Sequence, residues 1–169
     1  MDSYQYDAKM VFDDGVTPHT ASGLTTIATA AMTPIDMGGA PDNTTLGVVG
    51  GFAALRSVAV IDVSACKITT TTDDVYTIYV LGSNIAAGTD PVVLGALTLG
   101  YGTLIPNGAH SAGGAPGGAG SDSYPGRYII LFQTEQADIK YEWIYGYVVI
   151  AGTLPSITFS MFISMFPVE

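Results

Sequence analysis

From Tyr141 to Val148 the chain alternates, with Tyr141, Trp143, Tyr145 and Tyr147 on odd positions and Glu142, Ile144, Gly146 and Val148 on even ones. After the segment Ala151, Gly152, Thr153, Leu154, Pro155, Ser156 a second alternation begins. It sets Ile157, Phe159, Met161, Ile163 and Met165 on one side and Thr158, Ser160 and Ser164 on the other. Successive strand side chains point to opposite faces, so a period of two marks half-buried β-strands. Two such runs joined by a short loop with Gly and Pro predict an antiparallel hairpin. Phe159, Met161 and Ile163 then belong to a core. The aromatic row Tyr141, Trp143, Tyr145, Tyr147 has two readings. It is a core or subunit-interface row, because Tyr and Trp bury large area while satisfying a polar tip, or a stacking platform for carbohydrate.

The same reasoning divides the rest of the chain. Residues 1–24 are polar and irregular, with a turn at Asp13, Asp14, Gly15 and breakers at Pro18 and Gly23, and are expected to form an N-terminal arm with one short strand near Lys9–Phe12. Residues 25–169 are expected to form one domain. Strands are predicted through Thr25–Ala31, Leu55–Val63, Val75–Leu81 (a central strand by its β-branched and aromatic content), Pro91–Leu99, Tyr101–Ile105 and Arg127–Gln133. Asn107–Gly126 is too rich in Gly, Ala, Ser and Pro for regular structure and is expected to be a long loop. Thr134–Lys140 is a polar connection with room for a single helical turn. Eight or nine strands, Gly/Pro turns and no convincing helix predict an all-β fold, an antiparallel β-sandwich of jelly-roll type.

Composition changes this picture in one respect. Hydrophobic residues make up 48% and charged ones only 12%, the latter about half the usual share. A surface of Thr, Ser, Gly and Ala is easily desolvated and suits contact with other subunits. The net charge is −10, and Lys9, Arg56, Lys67, Arg127 and Lys140 are scattered singly, which argues against nucleic acid and against an anionic membrane surface. Mean hydropathy is +0.39, yet the most apolar stretch, Leu46–Ile61, contains Arg56 and three glycines and is too short to span a bilayer. Met1–Gln5 lacks the pattern of a signal peptide, so a soluble protein made in the cytoplasm is expected.

Candidate chemistry is sparse. His19 and His110 fall in predicted loops without ligand-spaced partners and are expected to be solvated rather than metal-bound. Cys66 stands alone, which excludes an intrachain disulfide, and is expected to be a small buried hydrophobe. Glu135, Asp138 and Glu142 are expected on a solvated surface, and Asp73 and Asp74, adjacent on one strand, would point apart. The glycine tract around Gly113 and Gly118 lacks the Lys-Ser/Thr and helix of a phosphate loop, and no Gly-x-Ser-x-Gly elbow occurs. Catalytic, metal and cofactor sites are therefore expected to be absent, and the protein is not expected to be an enzyme.

The order of several short motifs resembles the jelly-roll capsid decoration (cement) proteins of tailed bacteriophages. The matching pieces are Ile35, Asp36, Met37, Gly38 after a Thr/Ala-rich strand, Val75–Leu81, Pro125, Gly126, Arg127, Tyr128, Ile129, and Pro155, Ser156, Ile157, Thr158, Phe159. They span roughly residues 25–165; a longer N-terminal arm and the Gly-rich insertion depart from the pattern. The resemblance implies a noncatalytic virion protein on the outer capsid surface. It would bind the major capsid protein and itself, as a homodimer across two-fold positions or, alternatively, a trimer. Asp13, Asp14, Asp36, Asp73, Asp74, Gly113 and Gly118 mark the loops expected to meet a partner. A head–tail connector or tail component, and a carbohydrate- or receptor-binding β-sandwich, are the alternatives.

Overall fold

The computed structural model describes residues 10–25, 34–37, 56–67, 74–100, 125–152 and 154–165. Among them are β1 (Val11–Asp14), β2 (Gly23–Leu24), β3 (Ile35–Asp36), β4 (Arg56–Lys67), β5 (Val75–Ser83), β6 (Val92–Gly100), β7 (Gly126–Gln133), β8 (Glu135–Gln136), β9 (Ile139–Lys140), β10 (Trp143–Ala151) and β11 (Ser156–Met165). No α-helix occurs among the described residues, and every strand pair is antiparallel.

Two sheets carry the fold. The first, sheet A, has the order β1-β11-β4-β7; the second, sheet B, has the order β2-β10-β5-β6, with β3 also on β10. Alternation decides what each contributes inward. Ala59, Ile61 and Val63 of β4, Tyr128, Ile130 and Phe132 of β7, and Ile157, Phe159, Met161 and Ile163 of β11 face Tyr76, Ile78 and Val80 of β5, Leu97 and Leu99 of β6, and Ile144 and Val148 of β10, all in one buried cluster. Removing this apolar surface from water is the main force holding the sheets together. Tyr76 adds a polar stitch between them: its hydroxyl donates to the Lys67 carbonyl of β4 and accepts from the Ser156 N–H of β11 at 3.0 Å. Burial pushes its pKa up to about 12, outweighing the Ser156 N–H, which pulls it down; Cys66 and Asp74 push it further up.

Three expectations need correction. The two alternating runs at the end of the chain do not pair with each other: β10 pairs with β5 in sheet B, whereas β11 pairs with β4 and β1 in sheet A. Their connection carries the chain from one sheet to the other, with Gly152 at φ 122° and Leu154 at φ 56°. An added Cβ at Gly152 would stand 2.0 Å from the Asp74 Oδ1, so this crossing requires glycine. Both runs bury one face in the same core, and a strand on each side of that core achieves this as well as a hairpin does.

Residues 10–24 are part of the sheets rather than a separate arm. β1 pairs with β11, β2 pairs with β10, and Phe12 joins the core. Finally, Thr134–Lys140 contains no helical turn; β8 and β9 form a tight hairpin whose Ala137 and Asp138 both have positive φ, 51° and 64°, the backbone that matches strand twist in a two-residue turn. The strands expected at Val75–Leu81 and Arg127–Gln133 are β5, an inner strand, and β7. Those expected at Thr25–Ala31 (beyond Thr25) and Tyr101–Ile105, and nearly all of the Asn107–Gly126 loop, lie outside the described residues.

Candidate functional site

Because inward residues close the core, any site lies on the outward positions, and the two sheets treat these differently. On sheet A, register places Val11, Phe162, Val60 and Ile129 in one row across four strands, beside a polar row of Asp14, Ser160, Asp62 and Arg127. Val11, Val58, Val60 and Phe162 form a second buried cluster, with Val60 fully buried. In the polar row Arg127 makes a two-pronged ion pair with Asp62, Nε–Oδ1 2.6 Å and Nη2–Oδ2 2.8 Å.

On sheet B the outward rows are Leu24–Tyr147–Tyr79–Ala96, Val149–Thr77–Thr98 and Tyr145–Leu81–Val93, with Asp36–Trp143–Ser83 at one end. Leu24, Val93 and Val149 are exposed, as is Ala96, and Trp143, Tyr147, Tyr79, Thr77 and Thr98 are half-buried. The Thr77 and Thr98 hydroxyls lie 3.3 Å apart. Apart from Asp36 in a corner, these rows hold no charged side chain.

The loop after β5 folds onto this face. The Tyr145 hydroxyl is shared between the Ile85 and Ala86 carbonyls at 2.8 and 2.9 Å, and burial raises the Tyr145 pKa while the Gly88 N–H opposes the rise. Leu24, Leu81, Ala87, Gly88, Pro91, Tyr145 and Tyr147 thereby line a cleft of about 380 Å³. A second hollow of about 530 Å³ lies beside Leu94, Leu131, Phe132 and Glu135. Neither gathers an acid, base and nucleophile among the described residues. Among the described residues no three His, Cys, Asp or Glu side chains come together as metal ligands.

The expected aromatic row is split by the structure. Tyr141 packs against the core, with its ring beside Gly82, whereas Trp143, Tyr145 and Tyr147 stand on the outer face of sheet B. The even positions Ile144 and Val148 supply the core face of β10. Phe159, Met161 and Ile163 are in the core, and Cys66 is fully buried.

Among the acids expected at partner-contacting loops, Asp13 and Asp74 are 1% and 0% exposed, so their side chains cannot meet a partner surface. Asp36 is exposed and Asp14, half-buried, accepts the Val16 N–H. Asp73, Gly113 and Gly118 lie outside the described residues. His19 is not solvated either. It is buried, its Nε2 lies 2.7 Å from the Asp13 Oδ2, and its ring stacks on Phe159 at 5.1 Å. Backbone bonds to Ile157 in both directions hold it there. A short polar segment between two turns gave little local sign of this: Asp13 is near in sequence, but Phe159 and Ile157, which enclose the ring and fix the backbone, come from β11 at the far end of the chain.

No family model, curated protein or solved structure matches the chain.

Proposed function

We propose that this chain is a structural virion protein, a β-sandwich of jelly-roll type that binds the outside of a phage capsid and cements neighbouring major capsid protein subunits. The strand order is the observation that carries the reading. Among the described residues, with β2 and β3 counted as one strand and the β8–β9 hairpin set aside, the first strand pairs with the last, the second with the seventh, the third with the sixth and the fourth with the fifth. That order agrees with a jelly roll, an architecture of viral capsid and lectin domains, and so supports the reading. The uncharged outer face of sheet B and the low charge content support the capsid side of that pair. A shell subunit needs no reactive centre, only a stable core and faces that lose water at little cost.

Binding the assembled shell but not its free subunits stabilises the shell by mass action, and repetition over many sites multiplies a modest contact. The net charge of −10 suits a basic capsid exterior and keeps free copies dispersed. Cosedimentation with empty shells built from the major capsid protein tests the reading. Hundreds of copies per shell are expected; binding in a few copies would indicate a connector or tail component, and no binding would end the proposal.

The cleft lined by Tyr145 and Tyr147 favours a second reading, a carbohydrate- or receptor-binding β-sandwich. Trp143 is the only tryptophan and is on the same face, so quenching of its fluorescence by soluble glycans would select this reading over the first.

A further inference from the structure

We infer that the outer face of sheet B is the contact between two copies of this chain, related by a two-fold axis that runs along β5. The inference deepens the shell-protein reading and rests on it for its biological setting, but its geometry stands on the face itself.

Charge is the first argument. Each copy carries a net −10, so two copies repel unless they meet where no charge lies. The rows Leu24–Tyr147–Tyr79–Ala96 and Val149–Thr77–Thr98, with the exposed Val93 beside them, are such a place. A basic partner would instead be drawn to acidic positions, which the described residues of this face lack outside the Asp36 corner. Extent is the second. β5, β6 and β10 run nine residues each; at about 3.3 Å per residue and 4.8 Å between strands, with the short edge strands added, they cover on the order of 500 Å² in projection. Side-chain relief raises this toward the roughly 800 Å² per partner of a standard interface.

Relief is the third argument and sets the axis. The β10 side is tall, with Trp143, Tyr147 and the adjoining Leu24, whereas the β6 side is low, with Ala96 and Thr98. A two-fold contact presents the same patch to itself. Rotation about an axis along β5 lays the β10 ridge of one copy over the β6 trough of the other and sets Tyr79 against the partner's Tyr79. Along the rows, Tyr147 then meets the partner's Ala96, and Val149 meets the partner's Thr98.

The test is sedimentation of the full chain over a range of concentrations. The wild type is expected to dimerise. Val149→Glu, at an exposed position, is expected to weaken the dimer at least tenfold with unchanged circular dichroism, and adding Thr98→Lys is expected to restore it, because the two positions face each other between copies. Val16→Glu, exposed away from sheet B, should leave the dimer intact. A wild-type chain that stays monomeric throughout, a dimer indifferent to Val149→Glu, or a double variant that is no better than the single one overturns the inference. Shell cosedimentation fails separately: a dimer of this geometry that ignores shells would sink the cement reading alone, and a monomer that coats shells would sink only this one.

Discussion

Sheet A and sheet B present outer faces of the same pleated kind with opposite fates. Both set apolar rows outward, Val11–Phe162–Val60–Ile129 on one and Leu24–Tyr147–Tyr79–Ala96 on the other. On sheet A the centre of the row is closed, with Val60 at 0% and Phe162 at 7% exposure, while on sheet B Leu24 is 43% exposed. An apolar row buried within its own chain contributes to folding; one left open contributes only when something docks on it. The lesson is that outward apolar residues here have two purposes, and the row pattern alone does not separate them.

Substitutions can break or sharpen this contrast. The shared interior calibrates the scale: Phe159→Ala, a fully buried ring, should cost about 3–5 kcal/mol in denaturant melts. A loss under about 1 kcal/mol would mean that β11 faces the other way.

Next come matched changes on the two faces. Val60→Thr places a hydroxyl in the closed row of sheet A and should cost about 1–3 kcal/mol. Val149→Thr on sheet B should change the stability of the isolated chain by no more than about 0.5 kcal/mol. Equal costs would show that the second face is closed as well, and the contrast would vanish.

Tyr76 separates what joins the sheets from what covers them. Tyr76→Phe leaves the Lys67 carbonyl and Ser156 N–H without this partner and should cost about 1–3 kcal/mol. Its folded-state pKa of about 12 lies above the ordinary tyrosine value of 10.0, so the folded state holds its proton more tightly. The stabilisation is therefore complete below the unfolded value and is lost as pH rises from there through the folded value. Stability measured across that window should fall less steeply in the phenylalanine variant; identical slopes would show that the phenol is not held as described. The smallest effect is expected at the polar row of sheet A. Arg127→Ala should cost under about 1 kcal/mol, because the pair with Asp62 is largely exposed, and the loss should shrink in high salt.

Period-two alternation was sufficient to read the inward set Phe159, Met161 and Ile163, and with the β-branched and aromatic content of Val75–Leu81 it gave the all-β class and an inner strand there. These follow from the pleat, a property of each strand taken singly. Partner choice does not. Val11 meets Phe162 and Val148 meets Ile78 across separations that leave no mark on either local run, so β10 and β11 look like a hairpin although they belong to opposite sheets. Burial of His19, Asp13 and Asp74 was hidden for the same reason, since what encloses them comes from elsewhere in the chain. Within each strand the sequence by itself determined which residues share a face, because that follows from neighbours along the backbone; Tyr141, just before β10, left the row. Only the tertiary structure decided which faces meet and which stay open, because that depends on the packing of distant strands.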